Sequence, residues 1–293
     1  MEGVGVPLVT PFDEGGAIDE AKLRAVASWV VDCGVDFVVP CGSNGESELM
    51  TLEERATVTA IVADEVSVPV LAGTGHPGFE ETREQTRRAA DAGADAALVV
   101  TPYYFDHDQA ALAAYYRRLA DESPLPIYLY NVPAKTDVSL DPETVGTVAD
   151  HENVTGLKDS TGDMIAFQRE RRLAGPEFDL LVGTGALLAP ALDAGGDGGV
   201  MALANVVPDL VSDVYHQRAD DSAAARALNA DLVALNQAVT ARYGVPGLKA
   251  AMAHRDVPAG HVRFPHQPAD EDVVEEVAAL VDEALDRHTD GPE

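Results

Sequence analysis

Side chains suited to carbonyl chemistry stand at the ends of apolar segments in this chain of 293 residues. The most informative is Lys158, in the segment VTGLKDST at residues 154–161. It is one of only four lysines, and it follows an apolar run that is typical of a buried strand. Partial desolvation favours the neutral amine of a lysine, which can attack a carbonyl and form a Schiff base. The structural alternative is a lysine that leaves the core and pairs with Asp159.

The ends of the other apolar runs provide hydroxyls and amides. These positions are Thr10, Ser43, Asn44, Thr101, Tyr103, Tyr104, Tyr130, Asn131, Ser160 and Thr184. One amine among several hydroxyls suits imine formation assisted by a proton relay. Two simpler readings stay open, since Ser43 and Asn44 can merely shape a turn and the tyrosines can be core aromatics.

The same positions argue against other chemistries. They include no cluster of histidines and carboxylates, which a metal site requires, and no carboxylate pair for glycoside hydrolysis. The glycine turns at 73–75 and 183–185 could cradle a phosphate, but we find no arginine next to either in the sequence. We therefore predict an enzyme that uses neither a metal nor a nucleotide cofactor and that forms a covalent imine on Lys158.

Eight apolar runs alternate with amphipathic segments and define the predicted architecture. They cover residues 3–10, 37–40, 68–72, 96–101, 126–130, 154–157, 178–182 and 199–202. The runs show little alternation of polar and apolar residues, as in parallel strands covered on both faces. Eight such units predict an α/β fold of the (β/α)8 TIM-barrel type. A doubly wound sheet is the alternative, but the GxGxxG turn expected after its first strand is missing.

Helix signals complete this prediction. Helix starts are indicated at Asp19, Thr51 with Glu54, Asp108, and Asp141 with Pro142. After the eighth run the strand signals stop, and helical patterns occur at 221–242, 247–254 and 270–287. We therefore predict a barrel over residues 1–206 and a C-terminal helical extension over 207–293, packed on the barrel as one structural unit.

Composition excludes several classes of partner. A net charge of −30 argues against nucleic acid and against anionic membranes. No apolar run is long enough to span a bilayer, and the acidic N-terminus does not look like a signal peptide. The two cysteines, Cys33 and Cys41, form neither a disulfide framework nor a metal motif. These features predict a cytoplasmic protein.

The many acidic residues suggest that the protein works at high salt concentration. The 50 acidic residues are spread over predicted helix faces, and most of the basic residues are arginines. We interpret this as adaptation to a high-salt cytoplasm, in which dense carboxylates stay hydrated and their mutual repulsion is screened. Unfolding curves should therefore show higher stability in molar salt than in dilute buffer. Equal stability in the two would contradict this hypothesis.

Several motifs occur in an order and spacing that match a known family. They are VPLVTPF, GSNGE at residues 42–46, LAGTG, GADAALVVTPYY, YLYNVPAKT, GLKDS and GGVMALANV. In these segments the chain resembles the dihydrodipicolinate synthase and N-acetylneuraminate lyase superfamily of pyruvate-dependent class I aldolases. The resemblance implies that Lys158 forms the Schiff base and that Tyr130 is the acid/base. It also implies that Ser43 binds the oxo-acid carboxylate and passes a proton to Tyr130.

The resemblance extends to assembly and to further contacts with the substrate. Tyr104 matches the tyrosine that family members contribute across a subunit contact, which implies an oligomer, usually a dimer of dimers. Ser160 and Met201, in the GLKDS and GGVMALANV segments, are expected to contact the substrate.

Departures from the family pattern affect the choice of substrate. Asn44 replaces the second hydroxyl of the family's GTTGE segment, and Lys135 replaces an arginine that synthases use to bind the aldehyde's carboxylate. Lysine supplies charge but not the bidentate fork of arginine. The GSNGE, GLKDSTGD and RYGVPGLKAAM segments are similar to 4-hydroxy-2-oxoglutarate aldolase, and 2-keto-3-deoxygluconate aldolases are also similar. Asp106 and His107 follow the tyrosine pair, where forms acting on phosphorylated sugar acids are expected to have arginines. We therefore favour a substrate without phosphate.

The expected activity is cleavage of a 4-hydroxy-2-oxo acid to pyruvate and an aldehyde, either glyoxylate or a sugar-derived one. Synthesis of 4-hydroxy-tetrahydrodipicolinate and dehydration of a 2-keto-3-deoxy sugar acid are alternatives that would use the same lysine. Two hypotheses come from other classes: a non-catalytic barrel that binds ligands, and a phosphate-binding barrel isomerase. Trapping of pyruvate on Lys158 by borohydride distinguishes the aldolase from both.

Overall fold

The computed structural model describes residues 1–289, and within them eight parallel strands form a closed barrel. The strands are β1 Gly3–Val6, β2 Phe37–Val38, β3 Leu71–Gly73, β4 Ala96–Val100, β5 Ile127–Asn131, β6 Val154–Asp159, β7 Asp179–Val182 and β8 Gly198–Val200. Their order is β2-β1-β8-β7-β6-β5-β4-β3, and a parallel bridge between Val38 and Val70 joins the two ends. The predicted (β/α)8 architecture is confirmed.

Helices follow each strand and form the outer layer. They are α1 Glu20–Asp32, α2 Leu52–Glu65, α3 Phe79–Asp91, α4 Gln109–Glu122, the short α5 Pro133–Thr136, α6 Pro142–Ala149, α7 Met164–Ala174, α8 Leu188–Asp193 and α9 Pro208–His216. Asp19 and Asp108 accept hydrogen bonds from the first turns of their helices, and Thr51 with Glu54 forms the complete capping box. The caps read from the sequence at these three helix starts are therefore confirmed.

Two strand bounds differ from the prediction in ways that affect the site. β1 ends at Val6 and not at residue 10. Pro7 has no backbone N–H to donate, and the N–H of Val9 donates to the side chain of Asn205 at 3.2 Å and not to a neighbouring strand. β6 continues through Asp159, so Lys158 lies inside the strand and pairs with Tyr130 of β5 and Leu181 of β7.

The C-terminal helices pack against the barrel. They are α10 Ser222–Asp231, α11 Val233–Gln237, a π-helical turn Ala238–Arg242, α12 Gly244–His254 and α13 Glu271–Thr289. The sequence indicated one helix over 221–242, whereas the structure divides it. The buried Asn229 donates to the carbonyl of Gly185 at 2.7 Å and accepts from the backbone N–H of Ala189 at 2.9 Å, which ties α10 to the loop after β7.

The sequence patterns did not identify α9 as a separate helix. The proposed division between residues 206 and 207 falls between β8 and α9 and stays a prediction. Residues 290–293 of the predicted extension lie outside the described residues. None of the helices within residues 1–289 has the length and apolarity needed to cross a membrane.

Large side chains fill the barrel interior where glycines make room for them. A Cβ on Gly5 would come within 2.2 Å of the ring of Phe37, and one on Gly156 within 2.5 Å of Tyr128. Both rings are buried and pack with Leu71, Leu181 and Val200 in one cluster. This packed floor closes the barrel below the strand ends that form the site.

Candidate active site

A cavity of about 470 Å³ opens where the strands run into their following helices. Of the residues selected from the sequence, Ser43, Tyr103, Tyr130 and Lys135 line it. The remaining walls are formed by the turns after β2 and β3 and by a C-terminal segment, and include Glu46, Glu48, Arg55, Gly73, Gly75, Tyr243, Pro246 and His266. Polar groups therefore converge at the carboxyl ends of the strands, where barrels of this type place their chemistry.

Lys158 lies beside the ring of Tyr130. Its Nζ is 4.2 Å from the ring centroid, and the residue is 6% exposed. Asp159 is not its partner, because that carboxylate accepts from Asn131 Nδ2 at 3.2 Å and from Thr161 Oγ1 at 2.7 Å. The structural alternative, in which Lys158 leaves the core and pairs with Asp159, is therefore wrong.

The four lysines have different surroundings. Lys22 lies on the surface and pairs with Asp19 at 3.0 Å, and Lys135 is exposed to the cavity. Lys249 is buried, but its Nζ donates to Glu46 and to the carbonyls of Thr10 and His261, all within 2.7 Å. Within residues 1–289, Lys158 is thus the one buried lysine without a carboxylate partner. Its amine is held near hydroxyls and is not locked in an ion pair.

The hydroxyl of Tyr130 interacts with the side chains of Ser43, Lys158 and Ser160. Burial alone would raise the pKa of Tyr130. The positive charge of Lys158 acts against this effect, as do the interactions of the hydroxyl with Ser43, Lys158 and Ser160. The net result is a lowered pKa for this phenol. A phenol that releases its proton more readily is suited to act as both acid and base.

A tight turn holds Ser43 at the cavity wall. The 3₁₀ turn Ser43–Gly45 is closed by a hydrogen bond from the Gly45 N–H to the Gly42 carbonyl at 3.0 Å. Thr10 Oγ1 donates to the carbonyl of Gly45 at 2.8 Å, and a Cβ on Gly45 would lie 2.9 Å from the Leu8 oxygen. The glycine thus lets the turn sit close to the segment after β1 and fixes Ser43 near Tyr130.

The other residues selected from the sequence do not line the cavity, and Lys158 itself lies behind the ring of Tyr130, which does. Tyr104 is 85% exposed, with a left-handed backbone (φ 81°), and its side chain packs edge-on against Phe105. Met201 is fully buried among core residues, and its Cε occupies the space beside Gly199. Asn44 is half-buried in the turn next to Ser43. Ser160 also does not line the cavity, but it reaches Tyr130 through a hydrogen bond.

Arg55 is a cavity residue that the sequence did not reveal. It is buried on α2, and its Nη2 donates to the carbonyls of Gly73 at 3.2 Å and Gly75 at 3.5 Å. The sequence shows no arginine next to the glycine turn at 73–75, but the fold brings Arg55 into contact with that turn. Arg55 shares the buried face of α2 with Val58 and Val62, and that helical spacing was the available signal.

Asp159 of β6 and Glu170 of α7 form a pair of buried acids. Glu170 on α7 is 1% exposed, and neither of its carboxylate oxygens has a hydrogen-bond partner within residues 1–289. Burial, together with the charges of Asp159 and Asp163, raises the pKa of Glu170 to about 8. Burial likewise raises the pKa of Asp159 to about 6. No group of three or more histidine, cysteine or acidic side chains in the described part of the chain is arranged to hold a metal ion.

Replacement of Glu170 by glutamine is expected to remove a pH-dependent loss of stability. The pKa of about 8 in the folded chain exceeds the ordinary value of 4.5, so the folded state keeps a proton that the unfolded state has lost. This stability is fully present below about pH 4.5 and is lost as pH rises through about 8. Chemical unfolding at constant salt measures this effect. Over that pH range the free energy of unfolding of the wild type should fall by about 2–5 kcal/mol relative to that of Glu170→Gln.

The exposed Glu177, close to α7, provides the matched control. Glu177→Gln should follow the wild-type pH dependence. Parallel curves for Glu170→Gln and the wild type would contradict a protonated Glu170.

Comparison with known proteins agrees with this architecture. Residues 1–284 match the model of the dihydrodipicolinate synthetase family. An uncharacterised DapA-like lyase of Halobacterium salinarum is 38% identical over 93% of this chain and 90% of its own length. The 4-hydroxy-tetrahydrodipicolinate synthase of Citrifermentans bemidjiense is 36% identical over 97% of this chain and 98% of its own. The crystal structure of YagE, a prophage protein of E. coli K12 in complex with pyruvate, superposes with a TM-score of 0.93 at 31% identity, covering 97% and 99% of the two chains.

Proposed function

The chain belongs to the dihydrodipicolinate synthetase family and is a lyase of the class I aldolase type, and we propose that it acts through a Schiff base on Lys158. In this proposal it cleaves a 4-hydroxy-2-oxo acid to pyruvate and an aldehyde. The observation that supports it most strongly is the state of Lys158, which is buried, has no carboxylate partner within residues 1–289 and lies 4.2 Å from the ring of Tyr130. Such an amine is available for attack on a carbonyl.

The proposed reaction begins with addition of the Lys158 amine to C2 of the oxo acid. Loss of water from the carbinolamine gives an iminium ion, which accepts the electron pair when the C3–C4 bond breaks. The 4-hydroxyl loses its proton, the aldehyde departs and an enamine remains. Protonation of the enamine at C3 and hydrolysis of the imine release pyruvate and regenerate the amine. The protein has to supply positioning and proton transfer.

Tyr130 is the proposed acid and base of these steps. Its hydroxyl interacts with Ser43, Lys158 and Ser160, and its pKa is lowered towards neutrality, where one group can serve as acid and as base. Ser43 is the proposed ligand of the oxo-acid carboxylate and also a relay to Tyr130. The pairing of β5 with β6 sets Tyr130 directly opposite Lys158, so both groups are positioned by the backbone.

Tyr104 belongs to a proposed oligomer. Its side chain is 85% exposed next to Phe105, which is 66% exposed, so the two form an aromatic surface on the single chain. We propose that this surface meets another copy, that Tyr104 completes the proton relay of the partner, and that the assembly is a dimer of dimers. A cytoplasmic location and adaptation to high salt belong to the same proposal.

The proposal also includes a choice of substrate. We favour 4-hydroxy-2-oxoglutarate or 2-keto-3-deoxygluconate over the synthase reaction, because Lys135 stands at the cavity where a bidentate arginine would serve a synthase. The synthase remains the second candidate, since the relative from Citrifermentans bemidjiense has that name at 36% identity. Dehydration of a 2-keto-3-deoxy sugar acid is a third possible outcome of the same imine.

Product analysis on a panel of substrates tests this choice. The purified enzyme is incubated separately with hydroxyoxoglutarate, ketodeoxygluconate, its phosphate, and aspartate semialdehyde with pyruvate. We expect release of pyruvate from one or both unphosphorylated oxo acids. Turnover of aspartate semialdehyde alone would favour the synthase, and loss of water without release of pyruvate would favour the dehydratase.

A further inference from the structure

A C-terminal segment brings His266 to the wall of the cavity. The residue follows α12 and lines the cavity together with Tyr243, Val245 and Pro246. Its side chain is 41% exposed, and its Nδ1 lies 2.9 Å from Glu46 Oε2. Glu46 in turn is three residues after Ser43, so the histidine is coupled to the turn that forms the cavity wall.

Glu46 is a rigid anchor for this ring. Its side chain is fully buried and it has a left-handed backbone (φ 56°). Oε1 accepts from Lys249 Nζ at 2.7 Å, and Oε2 accepts from the backbone N–H of Arg263 at 2.9 Å. A carboxylate surrounded by donors accepts a further hydrogen bond, so Nδ1 of His266 is the donor. The ring orientation is thereby fixed and Nε2 is left free to meet a ligand.

The charges on the cavity wall favour an anion. Glu46 is offset by Lys249, and Glu48 accepts from the Tyr103 hydroxyl and lies 3.8 Å from Arg55. Lys135 is exposed to the cavity and has no ion pair in the part of the chain that the structure describes. The two acids are thus engaged, while Lys135 and His266 face the open space. The cationic Lys135 and the hydrogen-bonding ring of His266 at the cavity contrast with the net charge of −30 of the whole chain.

We propose that His266, held by Glu46, is a specificity residue that recognises an anionic group at the far end of the aldehyde. The imidazolium Nε2–H would donate to a carboxylate or phosphate oxygen, and Lys135 would add a second charge. This inference rests on the proposed aldolase function. Of the two substrates favoured there, it selects 4-hydroxy-2-oxoglutarate, whose aldehyde product glyoxylate has a carboxylate, over 2-keto-3-deoxygluconate, whose aldehyde product is neutral; a response to phosphate would reverse the preference for substrates without phosphate.

The variant His266→Asn separates recognition from structure. The asparagine amide can still donate to Glu46 in place of Nδ1, but nothing replaces Nε2. His261→Asn is the matched control, because His261 is an exposed histidine in the same segment that does not line the cavity. Initial rates of condensation with saturating pyruvate are measured for two pairs of aldehydes: glyoxylate against glycolaldehyde, and glyceraldehyde 3-phosphate against glyceraldehyde.

We expect His266→Asn to lower kcat/KM about tenfold or more for the anionic member of at least one pair, mainly through KM. The neutral member and His261→Asn should be unaffected. The pair that responds tells whether the recognised group is a carboxylate or a phosphate. The inference would be overturned if kcat/KM of His266→Asn fell equally for charged and neutral aldehydes, or did not fall at all. It would also be overturned if the wild type did not prefer the anionic aldehyde in either pair.

Trapping of pyruvate by borohydride separates this test from that of the proposed function. A wild type that gives no adduct on Lys158 would refute the aldolase itself. Normal adducts in both the wild type and His266→Asn, without selective loss for anionic aldehydes, would refute only the role of His266.

Discussion

Replacement of Lys158 by methionine is expected to lower kcat by about four orders of magnitude or more, the scale seen when a covalent nucleophile is removed. Methionine keeps the length and apolar body of the side chain but cannot form an imine, so the electron sink for cleavage of the C3–C4 bond is lost. The fold should persist, because Lys158 forms no ion pair within residues 1–289 whose loss would leave a buried charge. Steady-state rates with circular dichroism as a folding check measure both effects.

The other lysines supply the controls. Lys22→Met changes a surface residue on α1 that does not line the cavity, and it should leave turnover unchanged. Lys135→Met should raise KM for the aldehyde but keep the covalent chemistry, because Lys135 lines the cavity and is not among the groups that shift the pKa of Tyr130. Substantial residual turnover in Lys158→Met would contradict the proposed nucleophile.

Replacement of Tyr130 by phenylalanine is expected to have the second largest effect, a fall in kcat of about 10²- to 10⁴-fold. The ring that packs beside Lys158 is kept, and only the hydroxyl that joins Ser43, Lys158 and Ser160 is lost. Proton transfer during carbinolamine formation and bond cleavage would slow, so single-turnover kinetics should show slower formation of the pyruvate adduct.

Tyr103→Phe is the matched control for this effect. Tyr103 lines the same cavity, but its hydroxyl donates to Glu48 and is not part of the network around Lys158. The substitution Tyr103→Phe should therefore change the rate of adduct formation only slightly. Equal rates of adduct formation in Tyr130→Phe and the wild type would contradict the assignment of Tyr130 as the acid/base.

The barrel was predictable because its signals are local. Continuous apolar runs mark strands covered on both faces, and the capping residues Asp19, Thr51 and Asp108 mark helix starts. Their alternation leaves few arrangements other than a closed parallel barrel. The positions at strand ends include Ser43, Tyr130 and Lys158, and the structure brings these three residues together.

Features that depend on distant contacts were not predictable in this way. Residues 208–216 form α9 although the sequence has no capping residue before Pro208. The helix α10 is held on the barrel by the buried Asn229, a contact that the sequence pattern does not indicate. Arg55 and His266 reach the cavity through the packing of α2 and of the C-terminal segment, whose positions are fixed by tertiary contacts. Met201 is part of the core and does not line the cavity of the single chain, so its expected contact with the substrate stays a prediction.

The most direct test of the account is reduction of the enzyme with borohydride in the presence of pyruvate, followed by mass spectrometry of its peptides. Because the chain has only four lysines, each of the possible sites can be assigned. We predict one pyruvyl increment, on the peptide that contains Lys158, in the wild type and in Lys135→Met, and none in Lys158→Met. An unmodified Lys158, or an increment on Lys22, Lys135 or Lys249 in its place, would contradict the Schiff-base mechanism.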